Sequence, residues 1–93
     1  MVIYPSRRKH SWVPTYSERN RKRPALVALG DAIRRIRLAN GISQEELALK
    51  CEIDRSYVSG VERGESNIAL LNLIKIADAL EVSGSDLLAQ AGI

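Results

Sequence analysis

Three consecutive side chains, Arg55, Ser56 and Tyr57, bring a guanidinium, a hydroxyl and a phenol to the start of one short helical stretch. Their chemistry is hydrogen-bonded recognition. The Arg55 guanidinium is a rigid fork of donors that can bond two acceptors together, as in O6 and N7 of guanine. Ser56 can bond a base or a phosphate. Tyr57 can contact a base edge or a phosphate, or pack inward. Residue types for catalysis do not converge in the same way. His10 is the only histidine and has no Cys or carboxylate cluster beside it. Cys51, the only cysteine, reads as a small apolar core residue. There is no nucleophile triad, no glycine-rich phosphate loop and no metal-ligand spacing. Neither catalysis nor a metal nor a cofactor is expected.

Placing those side chains is the task of an all-helical frame. Leu26, Leu29, Ile33 and Ile36 recur at spacings of three and four, which predicts a helix over residues 25–39. Asn40-Gly41 stops it. Ser43 with Glu46 three residues later is a capping-box pattern, opening a short helix that ends near Lys50. Asp54 is the cap candidate of the next, with Tyr57, Val58 and Val61 as its apolar positions and Gly64 as its end. Asn67 is expected to cap a longer helix over residues 68–80. The apolar set of that helix (Leu70, Leu71, Leu73, Ile74, Ile76, Ala77, Leu80) is wide enough to predict a central position. Leu87 and Leu88 belong to a last short helix. No strand-like alternation, repeat or low-complexity tract interrupts this five-helix bundle.

Residues 43–64 therefore hold two short helices joined by a tight connection, the arrangement in which a helix pair crosses near 90–120°. Small Ala48 sits where the two would cross. The second helix can then enter a major groove, roughly 12 Å wide, while the first lies across the backbone. Gln44 starts the first of the pair, where a phosphate can meet backbone N–H groups, or where it is merely an exposed helix start. Ser59 can reach a phosphate. Gly60 suits a close approach to DNA or to another helix. Asn67 can add a phosphate contact besides capping. Arg34, Arg35 and Lys50 can assist with phosphates.

The runs IRRIRLANGISQEELA, IDRSYVSGVERGES and LLNLIKIADALEVSGSDLL carry a resemblance. From Leu29 to about Leu88 the chain is similar to the XRE family of phage-repressor and Cro-type helix-turn-helix domains. Within it, DRSYVSGVERG looks like the restriction–modification controller proteins. The resemblance implies a lambda-repressor-like fold and sequence-specific binding of double-stranded DNA in transcription regulation. It implies base reading by Arg55, Ser56 and Tyr57, with backbone contact at Gln44. It also implies a partly buried ion pair between Arg37 and Glu62. One departure stands out. The family usually has Gly in the turn between the paired helices, and this chain has Glu52, so a turn of different shape or length is expected.

Charge divides the chain. Residues 1–24 hold seven basic groups against one acidic, whereas residues 25–93 hold seven against ten. The first stretch, with Pro5, Pro14 and Pro24, reads as a basic irregular arm and the second as the helix-turn-helix domain. The arm can serve a polyanion or act as a solvated tail. Its Tyr4, Trp12 and Tyr16 can dock on the domain, stack on a ligand, or bind a protein partner. An antitoxin that binds both a toxin and its own operator is thus a second reading. One recognition helix spans only a few base pairs, so a homodimer on a near-palindromic site is expected. Leu80, Val82, Leu87, Leu88 and Ile93 are its candidate interface. Without an apolar run long enough for a signal peptide or a membrane span, and with one cysteine, the cytoplasm is the expected setting.

Overall fold

The structure, a computed structural model, describes residues 23–93. The readings made of residues 1–22, His10 and the arm's aromatics included, lie outside the described residues. Five helices follow in order: α1 (Pro24–Ala39), α2 (Gln44–Cys51), α3 (Arg55–Glu62), α4 (Leu70–Ala79) and α5 (Gly84–Ala91), with no strand among the described residues.

Three of the helices start at a local signal. Pro24 occupies the first turn of α1, where its missing N–H costs nothing. At α2 the capping box closes in both directions. Ser43 Oγ accepts from the Glu46 N–H at 3.0 Å, and Glu46 Oε1 accepts from the Ser43 N–H at 2.9 Å. Ser83 caps α5 by accepting from the Asp86 N–H at 2.9 Å. Asp54 occupies the N-cap position of α3, but its side chain does not cap; Oδ2 accepts from Ser56 Oγ at 2.6 Å instead.

All five helices end the same way, with a left-handed residue and a 6→1 backbone bond that satisfies an orphan carbonyl. Gly41, Gly64 and Gly92 fill that position after α1, α3 and α5, while Glu52 and Glu81 fill it after α2 and α4. Glu52 has φ 57°, and the following Ile53 N–H reaches the Ala48 carbonyl at 3.0 Å. The expected change of turn shape does not occur. The Glu backbone adopts the left-handed conformation itself, at a steric cost of about 1–2 kcal/mol.

Ile33, Leu47, Val58, Ile76, Leu80 and Leu87 are the largest fully buried side chains, one or two from every helix or its C-cap. α1 packs on α3 and α5, α2 on α3 and α4, and α4 on α5. Gly30 permits the α1–α3 contact: a Cβ there would lie 2.3 Å from the Val61 carbonyl oxygen.

Two expectations about the fourth helix fail. It begins at Leu70 with Ala69 in the cap position, leaving Asn67 exposed in the preceding loop. It is not central either. Leu70 and Leu71 are 68% and 71% exposed, because α4 leans mainly on α2 and α5 and turns Leu73, Ile76 and Ala77 inward.

Candidate nucleic-acid interface

The α2–turn–α3 unit projects the start of α3 outward. Val58 and Val61 anchor the inner face of α3 in the core. Arg55 and Ser56, at its leading edge, are exposed. Arg55 makes no hydrogen bond or ion pair among the described residues, so its whole donor fork is free. Ser56 is tied to Asp54 as described above. Tyr57 is half-buried and packs against the core, so its ring serves the fold.

One buried ion pair holds α3 to α1. Arg37 Nε donates to Glu62 Oε2 at 2.7 Å and Nη2 to Oε1 at 3.0 Å, with the two side chains 9% and 3% exposed. Arg37 Nη1 also donates to the Ile42 carbonyl at 3.0 Å. Gln44 joins from α2, Nε2 donating to Glu62 Oε1 at 2.9 Å. Three helices thus meet on one carboxylate, which fixes the angle at which α3 is presented. The bidentate geometry satisfies both charges, as burial of an ion pair requires.

Beside this junction lies an open cleft of about 350 Å³ lined by Arg34, Arg37, Gln44, Ser59, Glu62 and Arg63. Arg37 is neutralised by Glu62. Arg34 is exposed and has no partner among the described residues. The cleft therefore offers cationic, hydroxyl and amide groups to an anion. Sequence reasoning alone does not single out Arg63. The available signal was spacing: Arg55, Ser59 and Arg63 stand at i, i+4 and i+8, and so share one side of α3.

Other candidates do not join this cluster. Arg35 Nε pairs with Asp31 at 3.0 Å and its Nη2 caps the Gln90 carbonyl at 3.3 Å, so it ties α1 to the end of α5. Lys50 lies on the α4 side, with Lys75, Asp78 and Ala79. Gly60 gives close approach within the protein, since a Cβ there would lie 2.8 Å from Ser66 Oγ. Of the candidate interface residues, Leu80 and Leu87 are 2% and 0% exposed and are consumed by the core. Val82 and Leu88 pack partly against it, and only Ile93 is well exposed. The apolar surface left over is instead on α4, where Leu70, Leu71 and Ile74 share one face at spacings of three and four.

Cys51 is buried, and its Sγ donates to the Leu47 carbonyl at 3.0 Å. Burial pushes the thiol pKa up, which keeps it protonated and unreactive. Among the described residues no group of His, Cys, Asp and Glu could hold a metal ion, and no helix is long and apolar enough to cross a membrane.

Comparison with known proteins places this geometry in context. The family described as helix-turn-helix matches residues 33–87. The control protein C.BamHI of Bacillus amyloliquefaciens is 47% identical over 63 residues, 67% of this chain and 78% of that protein. The crystal structure of the restriction-modification controller protein C.AhdI from Aeromonas hydrophila is 48% identical. It covers 67% of this chain and 94% of its own, with a TM-score of 0.66. The clp gene regulator ClgR of Corynebacterium glutamicum is 32% identical over 73% of this chain and 88% of its own, with a TM-score of 0.69.

Proposed function

This chain belongs to the XRE-type helix-turn-helix family, with restriction–modification control proteins among its relatives, and on that premise we propose that it regulates transcription by binding double-stranded DNA sequence-specifically as a homodimer. The observation that carries the reading is the free Arg55 fork at the exposed leading edge of α3. In the major groove it would bond a guanine, with Ser56 and the Tyr57 hydroxyl beside it. Gln44, Ser59 and Arg34 would seat the phosphate backbone along the cleft, fixing register without carrying sequence. The buried Arg37–Glu62 pair would hold the reading helix at a constant angle.

Two copies would be needed to cover a near-palindromic operator, with half-sites about one helical turn apart. The exposed apolar face of α4 is the better candidate for joining them than the C-terminal edge. The site of action would be the cytoplasm. The antitoxin reading finds no support in these relatives, and the arm it depends on lies outside the described residues.

The test is titration of a labelled duplex, enriched from a random pool, with sizing of the complex. Two chains per duplex and affinity far above that for mixed-sequence DNA are expected. Equal affinity for both duplexes would reject specific regulation.

A further inference from the structure

Arg63 differs from Arg34 and Arg55, which have no partner among the described residues. Its Nη1 donates to Ser59 Oγ, one turn back on α3, and its Nε donates to Glu65 Oε1 at 3.2 Å. The side chain remains 55% exposed, while that of Glu65 is 24% exposed. The position of Glu65 is set by the backbone. Its N–H bonds the Gly60 carbonyl at 3.0 Å, and the Gly64 N–H bonds the Val61 carbonyl at 3.0 Å. Gly64 itself has φ 77°, and a Cβ there would lie 2.9 Å from the Val27 Cα. The carboxylate is thus delivered to Arg63 by a turn with little room to move. The guanidinium lies along α3, between a hydroxyl and a carboxylate, at the rim of the cleft.

From this geometry we infer that Glu65 is a built-in counterion that withholds Arg63 from DNA phosphate and so sets the affinity of the whole interface. The inference rests on the DNA-binding reading above. An exposed ion pair is worth under about 1 kcal/mol. A phosphate accepting charge-assisted, two-point hydrogen bonds from the guanidinium can therefore displace Glu65. Breaking the pair takes free energy from binding, and that cost does not depend on base sequence. Glu65 thus lowers affinity for every duplex alike and leaves the discrimination between sites to Arg55.

The test compares full-length wild type, Glu65→Gln, Arg63→Gln and the double variant by fluorescence anisotropy. Each is titrated with a mixed-sequence duplex and an enriched duplex over a range of salt, after circular dichroism shows that all four fold. Glu65→Gln should bind both duplexes about fivefold tighter at low salt, close to the full worth of an exposed pair. Its log–log salt slope should steepen by about 0.9, since the guanidinium that meets the phosphate gives up a carboxylate partner in the wild type and none in the variant. In the Arg63→Gln background the gain should fall to less than half. Unchanged affinity and slope in Glu65→Gln would overturn the inference. So would an equal gain with Arg63 removed, which would reduce Glu65 to a net-charge effect. If wild type prefers the enriched duplex while Glu65→Gln does nothing, only the counterion role falls. If wild type prefers neither duplex, the DNA-binding reading falls with it.

Discussion

A free guanidinium and a buried one do different work on the same helix pair, and substitution should separate them. Arg55 is exposed and unpartnered, so Arg55→Ala should leave the thermal transition within about 0.5 kcal/mol of wild type. It should nonetheless cost about 1–3 kcal/mol of binding to the enriched site and relax preference at one base pair. Glu62→Gln should do the reverse of this first result. It strands the Arg37 charge in a nearly closed environment and replaces one of the two acceptor oxygens by a donor amide. Chemical denaturation should show a loss of about 3–5 kcal/mol. The ion pair was legible through the family resemblance. The Gln44 bond to it was not, because it depends on how three side chains converge, which no spacing rule gives. Arg35 shows the same limit in part: Asp31 four residues before it signals the surface pair that Arg34, with Gly30 there, lacks, yet only the position of the α5 C-terminus decides that it caps a carbonyl.

Helix existence was easy to read because periodic apolar residues and caps coincide, as at Ser43 and Glu46. Helix ends were harder where the decisive residue is not the usual type. Glu52 and Glu81 both take the left-handed position that glycine takes elsewhere in this chain. Substituting Glu52→Gly should therefore stabilise the domain by about 0.5–1 kcal/mol, the relieved strain exceeding the added unfolded-state entropy. That corresponds to a rise of about 2–8 °C in thermal midpoint. Gly30→Ala should act in the opposite sense. A methyl group 2.3 Å from the Val61 carbonyl oxygen forces α1 and α3 apart, and calorimetry should show a loss of over about 2 kcal/mol. A glycine inside a helix was the available sign that something comes close there. The width of the apolar set on α4 was misleading, since it reflects a surface left uncovered by the chain's own core rather than a central position.

At the scale of the molecule, an acidic domain leaves Arg55 at the start of α3 and Arg34 in the cleft beside it without partners among the described residues. This local arrangement matters more to a polyanion than net charge does. The α4 face supplies the other large-scale feature, apolar surface where a second chain can sit. Leu71→Glu should shift the protein toward monomer in sedimentation at fixed concentration, raising the dimer dissociation constant at least about tenfold. Binding to a single half-site should persist, because Leu71 lies outside the α1–α3 cleft. The most direct test of the central claim is parallel enrichment of a random duplex pool by wild type and by Arg55→Ala. A two-fold-symmetric motif is predicted for wild type, with a guanine in each half that the variant ceases to require. An asymmetric or absent motif, or a variant motif identical to that of wild type, would contradict the account.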